Sequence, residues 1–154
     1  MIPMEPLPTE FTQVFFRATM PVDGWPKKFA VVTAHNPDGQ LMDPAANDEA
    51  DEALRAAIEK RGLTYFCVTG GSRDEKHREP GWGFSLATPQ SAQELSQRFR
   101  QLAFFWIEND RLSLIDARTG NSIDQGSWQD RWWESCTTVL NALSTGDLLS
   151  RGWA

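Results

Sequence analysis

The sequence predicts an α+β fold, specifically a ferredoxin-like sandwich with a mostly antiparallel sheet, helices on one face and an extra C-terminal helix. One supporting observation is the order of the segments, which runs strand, helix, strand, strand, helix, strand, strand. Another is the size of the chain, because 154 residues of which 40% are hydrophobic suffice for one core. We therefore expect a Pro-rich arm over residues 1–10 and a single domain over residues 11–154.

The first half of the chain contains two predicted strands and a helix. Residues 11–17 are rich in aromatic and β-branched side chains, which favours an edge strand, and the apolar run 28–34 is typical of a strand buried on both faces. Asn47 is expected to cap a helix that Gly62 ends. This helix places its apolar side chains on one stripe, formed by Ala50, Ala53, Leu54, Ala57 and Ile58.

The second half contains four predicted strands, a helix between the second and third of them, and a final helix. Gly70-Gly71 is expected to end a strand over residues 64–69, and a further strand is predicted over residues 82–88. Thr88-Pro89 opens a second helix. A hairpin across Asn109-Asp110 should join residues 103–108 to residues 111–117, and Ser127 should cap a last helix that turns Trp132 inward.

Several short motifs occur in an order that resembles a known family. They are Thr33-Ala34-x-Asn36-Pro37, Asn47 at a helix start, Glu79-Pro80-Gly81 before a strand, and Phe99-x-Gln101-x-Ala103. Over residues 28–116 the chain resembles a bacterial family of uncharacterised proteins, the domain of unknown function numbered 3293. The resemblance implies a stand-alone bacterial domain and no particular activity, ligand or catalytic residue.

Charge and hydrophobicity exclude several kinds of partner. A net charge of −6 and a pI near 4.9 repel phosphate backbones, so we expect no nucleic acid partner. No apolar run approaches the length of a membrane span, which is about 18 residues, so we expect no membrane partner either. The first ten residues lack the basic and apolar pattern of a signal peptide, which favours a soluble, cytoplasmic protein.

Polar residues follow two of the predicted strands and provide candidates for catalysis. If the loops 35–46 and 70–81 are neighbours, they bring together His35, Asn36, Asp38, His77 and Glu79. An imidazole and a carboxylate near one substrate can act as general acid and base, so His35, His77 and Glu79 are the candidate catalytic residues of a hydrolase or transferase. The plainer interpretation makes Asn36 a turn former and His35 a surface residue.

The same loops suggest our leading hypothesis, a binding or regulatory module for a small anion or metabolite. A Gly-Gly-Ser-Arg turn could offer backbone N–H groups and positive charge to an anion, although it lacks the spacing of a P-loop or dinucleotide motif. The candidate ligand-binding residues are Asn36, Gly70, Gly71, Ser72, Arg73 and Arg78. No spacing typical of a metal site is present, so no metal is predicted and the cofactor is unknown.

Tryptophans near the C-terminus suggest a third kind of function, a protein-interaction domain. Trp128 and Trp133 lie on the predicted last helix, and Trp153 is near the end of the chain. Aromatic side chains are enriched at protein interfaces, so these three residues are candidates for contact with a protein partner or a second copy of the chain. Core packing is the plainer explanation of the same aromatic side chains.

Overall fold

The computed structural model describes residues 6–74, 76–86 and 88–134. Within these residues the chain forms two α-helices, α1 (Pro44–Lys60) and α2 (Gln90–Arg98), and eight strands. The strands are β1 (Phe15–Ala18), β2 (Lys28–Val32), β3 (Tyr65–Gly71), β4 (Arg78–Ser85), β5 (Ala103–Glu108), β6 (Arg111–Asp116), β7 (Ser122–Ser127) and β8 (Trp132–Glu134). The predicted α+β class is confirmed.

All eight strands belong to one mixed sheet, in the order β7-β6-β5-β2-β4-β3-β1-β8. Every neighbouring pair is antiparallel except β1 and β8, which are parallel. Since both β2 and β3 are antiparallel to β4, they run in the same direction and end at the same edge. Helix α1 connects β2 to β3, and α2 connects β4 to β5.

The sheet is curled. Its two outermost strands follow each other closely in sequence, so they must also lie near each other in space. Only residues 128–131 separate β7 from β8, although these strands lie at opposite ends of the strand order. Arg131 joins the two sides: its guanidinium donates hydrogen bonds to the carbonyl oxygens of Gln125 (3.1 Å), Val14 (2.9 Å) and Thr12 (3.1 Å). The chain thus nearly closes the sheet on itself.

Alternation along the strands produces two apolar cores, one on each face of the sheet. One core packs the sheet against Leu54 and Ile58 of α1 and Leu95 of α2, and it includes Phe84 and Phe104. The other core lies inside the curl, and its buried members are Phe16, Ala18, Phe29, Val31, Val68, Ile107, Leu112 and Trp128. Both helices therefore cover one face, while the curled sheet encloses the other.

Two predicted boundaries in the first half are wrong. Helix α1 begins at Pro44, so Asn47 lies within the helix and is 8% exposed rather than capping it. Pro at the first turn of a helix is favourable, and this signal overrides the asparagine. Gly70 and Gly71 do not follow the strand but are the last two residues of β3, where they pair with β1 and β4. Gly62, which has a φ of 72°, ends α1 as predicted.

The hairpin prediction is confirmed and the final-helix prediction is not. Asn109 and Asp110 have φ values of 50° and 69° and join β5 to β6. Ser127 accepts a hydrogen bond from the amide of Gln129, but it caps only a 3-10 helix over Trp128–Asp130. Residues 132–134 then pair with β1 as a strand, and the rest of the predicted helix, with Trp153, lies outside the described residues.

Candidate functional site

The loop after β2 and the start of β4 meet, which fulfils the condition placed above on loops 35–46 and 70–81. The side-chain amide of Asn36 donates to Oε2 of Glu79 at 3.2 Å. The hydroxyl of Thr33 donates to the carbonyl of Pro80 at 2.9 Å. Glu79 belongs to the strand β4 rather than to a loop, so a regular element fixes its position.

Asn36 organises this edge of the sheet through its side chain and its backbone. Its φ of 50° and ψ of 62° place it in the left-handed region, which asparagine tolerates better than most residues. Its side-chain oxygen accepts from the side chain of Asn47 at 2.9 Å and from the amide of Met42 at 3.1 Å. Its own amide donates to Oδ1 of Asn47 at 2.9 Å. The buried Asn47 therefore holds Asn36, which in turn holds Glu79.

Glu79 is a carboxylate partly withdrawn from water. Its side chain is 25% exposed, and Oε2 lies 3.5 Å from Nε2 of His77. Burial raises the pKa of Glu79 above its ordinary value, while the hydrogen bond from Asn36 and the charge of His77 oppose that rise. The carboxyl group is therefore easier to protonate than an exposed glutamate.

His35 lies on the same edge and is held by its backbone. Its amide donates to the hydroxyl of Thr33 at 3.0 Å, and its carbonyl accepts from the side chain of Gln101 at 3.1 Å. Burial lowers the pKa of the His35 imidazole, and the nearby carboxylate of Asp48 partly offsets this effect. The imidazole is thereby biased toward its neutral form.

A cavity of about 750 Å³ opens inside the curl of the sheet beside these residues. Its apolar wall includes Val14, Phe16, Val31, Val68 and Phe105. Its polar wall includes Thr33, His35, Asn36, His77, Glu79 and Gln101. The 3-10 helix Thr9–Gln13 and the preceding proline form another side, through Pro8, Glu10, Phe11 and Gln13. This volume lies within the range of small-molecule sites, which is about 300–1,000 Å³.

The residues predicted to hold an anion line a different and much smaller feature. Gly70, Gly71, Ser72, Arg73 and Arg78 border a shallow depression of about 10 Å³, together with Phe15 and Trp133. The guanidinium of Arg73 lies 5.7 Å from the ring centroid of Phe15. Gly70 and Gly71 lie in a strand paired on both sides, so they do not form the open turn that was expected. Gly70, Gly71, Ser72 and Arg73 also border the larger cavity.

The remaining candidates are dispersed. Asp38 forms an ion pair with Arg100. Trp128 is 1% exposed and packs in the core inside the curl, whereas Trp133 is 38% exposed with its ring 5.0 Å from that of Phe15. Among the described residues, no group of three or more His, Cys, Asp or Glu side chains is arranged to hold a metal ion. The described residues also contain no helix long and apolar enough to cross a membrane.

Sequence reasoning missed the roles of Thr33, Asn47 and Gln101. One signal was available for Asn47, because it lies seven residues before Leu54 and eleven before Ile58, on the same helical stripe. A polar residue on an apolar stripe needs a partner, and Asn36 supplies it. No comparable pattern distinguishes Thr33 or Gln101 from other polar residues at the ends of elements.

Comparison with known proteins finds a family match for the segment that contains the polar residues at this edge of the sheet. A family model described as a protein of unknown function (DUF3293) matches residues 32–104. Residues 32–104 belong to the DUF3293 family. The DUF3293 segment contains Asn36, Asn47, Glu79 and Gln101 and ends in β5, so it is shorter than the 28–116 expected from the motifs. No curated protein and no solved structure matches the chain.

Proposed function

We propose that this DUF3293 protein is a small-molecule-binding module and that the ligand occupies the cavity inside the curled sheet. The single observation that carries this proposal is a cavity of about 750 Å³ that is lined by apolar side chains and by a group of polar side chains that includes Glu79. An apolar wall supplies binding energy through the hydrophobic effect, and a few fixed polar groups supply orientation. The proposal keeps the ligand-binding class inferred from the sequence and moves the site into the cavity.

Pre-organisation of the polar wall supports the same proposal. Glu79 is held by Asn36, which is held by the buried Asn47, and the backbone of His35 is held by Thr33 and Gln101. Groups fixed before the ligand arrives lose little conformational entropy on binding. A chain of contacts among polar residues that served only packing would be costly to maintain.

The proposal is tested by thermal unfolding followed by tryptophan fluorescence, with 2-phenylethanol as the probe. Ala103 begins β5 and lines the cavity, so Ala103→Phe should occupy part of the space while Ala103→Ser leaves it open. A ligand at about 100 times its dissociation constant adds roughly 2.7 kcal/mol, which raises the unfolding temperature by several degrees. We expect this rise in the wild type and in Ala103→Ser, and a smaller one in Ala103→Phe. Equal shifts in all three proteins, or none in the wild type, would refute cavity binding.

Anion binding at the shallow depression is a second candidate function. The observation that favours it is the gathering of Ser72, Arg73 and Arg78 around one surface feature of an otherwise acidic chain. Inorganic phosphate should then raise the unfolding temperature of the wild type and not that of the Arg73→Ala/Arg78→Ala double variant. An equal response of both proteins would exclude the depression.

Acid–base chemistry is the third candidate, and it uses the cavity as an active site. His77 and Glu79 lie 3.5 Å apart at its polar wall, and burial raises the pKa of Glu79. A hydrolase or transferase of this kind would show a bell-shaped dependence of turnover on pH, and Glu79→Gln would abolish one limb of it. Full turnover in both Glu79→Gln and His35→Gln would remove these residues from catalysis.

Four finer predictions accompany the proposed function. The ferredoxin-like interpretation rests on the inner strands, which are ordered β5-β2-β4-β3 and all antiparallel, with a helix following β2 and β4. A bacterial origin rests on the family resemblance, and a cytoplasmic location on the presence of only two cysteines in 154 residues. A protein partner would use the exposed ring of Trp133.

A further inference from the structure

We infer, building on the proposed cavity binding, that the ligand is an apolar molecule carrying a protonated amine, which pairs with the carboxylate of Glu79. Three features lead to this ligand class. They are the position of Glu79 on the cavity side of β4, the arrangement of the other charges around the cavity, and the aromatic and aliphatic side chains that line the same cavity.

Glu79 has room for a donor from the ligand. Its Oε2 accepts one hydrogen bond from Asn36 at 3.2 Å, and His77 lies 3.5 Å away with a side chain that is 64% exposed. A carboxylate can accept about four hydrogen bonds. An ammonium group contributes both donors and a compensating charge to a carboxylate that burial has partly stripped of water.

The other charged and titratable groups at the cavity are not placed so as to favour an anionic ligand over a cationic one. Glu10 and Arg73 are exposed, and the guanidinium of Arg73 lies over the ring of Phe15. The His35 imidazole is biased toward its neutral form by burial. An anionic ligand would bring a second negative charge beside Glu79, which is the least exposed carboxylate among these groups and the one fixed by Asn36.

The rest of the ligand is defined by the apolar wall of the cavity. Phe11, Val14, Leu102 and Phe105 are partly exposed and present aliphatic and aromatic carbon to the cavity. Such a wall offers no strong hydrogen-bond partner from its side chains, so it selects an apolar body. A hydrocarbon or aromatic group joined to an amine by a short chain satisfies both walls at once.

The experiment compares 2-phenylethylamine, 2-phenylethanol and phenylacetate by isothermal titration calorimetry at pH 7.5, with wild type and Glu79→Gln. We expect the amine to bind the wild type about tenfold more tightly than the alcohol, the effect of one charge-assisted hydrogen bond, and phenylacetate to bind most weakly. In Glu79→Gln the amine should lose this advantage over the alcohol, and thermal unfolding of the variant shows that it is folded. As a measurement without substitution, acidification of the wild type to pH 4 should weaken amine binding more than alcohol binding.

Two kinds of failure are distinguishable. If the alcohol binds but the amine is no tighter, if phenylacetate is tightest, or if Glu79→Gln retains the amine preference, the ligand class is wrong and cavity binding stands. If none of the three compounds binds the wild type, cavity binding itself is refuted and the ligand class with it.

Discussion

The side chain of Asn36 donates a 3.2 Å hydrogen bond to Oε2 of Glu79, across 43 residues of sequence. This contact ties the loop after β2 to the start of β4 and fixes the carboxylate at the wall of the cavity. The buried side chain of Asn47 completes the arrangement from α1. The polar wall therefore depends on three separate elements, and the predictions below test its parts.

Two substitutions of Asn36 should separate two contributions to the free energy of unfolding, that of its side-chain hydrogen bonds and that of its left-handed backbone conformation. Asn36→Gly leaves the side-chain NH2 of the buried Asn47 without its acceptor, which should lower the free energy of unfolding by about 1–3 kcal/mol, while the backbone amide at position 36 still donates to Oδ1 of Asn47. Asn36→Ala should cost a further 1 kcal/mol or so, because alanine tolerates the left-handed φ of 50° poorly. Urea denaturation of both variants measures the difference. An alanine variant as stable as the glycine variant would contradict the left-handed conformation.

The stability of the protein should depend on the protonation of Glu79. Because the folded pKa is raised above the ordinary value of 4.5, the folded state binds the proton more tightly than the unfolded state does. The resulting stability is fully present below pH 4.5 and is lost as the pH rises through the folded pKa. Glu79→Gln removes this dependence, so the wild type should lose stability relative to the variant as the pH rises above 4.5. Urea denaturation at several pH values measures this; a pH-independent difference would contradict the raised pKa.

The contacts that hold this edge explain how much the sequence could predict. The sequence predicts that His35, Asn36 and Glu79 are neighbours if the two loops adjoin, and the loops adjoin because β2 and β3 end at the same edge. Asn47 was mistaken for a helix cap because asparagine favours that position, and the competing signal of Pro44 was overlooked. The cavity could not be inferred, since it depends on how strongly the sheet curls and on the space that glycines leave.

The predicted start of the last helix, over residues 127–134, was wrong for a related reason. Trp128 and Trp132 have a spacing that suits a helix, yet both pack against Trp25 inside the curl, at ring distances of 5.1 and 4.8 Å. The backbone conformation of residues 131–134 is then set by two sets of contacts. Residues 132–134 pair with β1, and the guanidinium of Arg131 binds three carbonyl oxygens. Local periodicity gave no information about these tertiary contacts.

Gly71 should be far less tolerant of a side chain than its neighbour Gly70. A Cβ atom at Gly71 would lie 2.1 Å from the backbone oxygen of His77, whereas one at Gly70 would lie 3.3 Å from a methyl carbon of Val14. Gly71→Ala should therefore lower the free energy of unfolding by about 2–3 kcal/mol, and Gly70→Ala by less than about 1 kcal/mol. Chemical denaturation of the pair decides this, and equal losses would argue against close pairing of β3 and β4 at this point.

Arg131 should contribute more to stability than an exposed arginine does. Arg131→Met keeps an apolar stem but leaves the carbonyls of Thr12, Val14 and Gln125 without their donor, so we expect a loss of about 2–3 kcal/mol. Arg111→Met is the matched control, because Arg111 forms an exposed ion pair with Asp124 and should cost less than about 1 kcal/mol. Thermal or urea unfolding of both variants tests the role of Arg131 in closing the sheet. A loss of unfolding free energy in Arg131→Met no greater than that in Arg111→Met would contradict this role.

The most direct test of cavity binding is nuclear magnetic resonance of the ¹⁵N-labelled protein during titration with 2-phenylethanol. The account predicts saturable changes in amide chemical shift concentrated at residues that line the cavity, such as Val31, Val68, Gly81 and Phe105. Changes centred on Arg78 and Trp133, which border the shallow depression alone, or no saturable change at any residue, would contradict it.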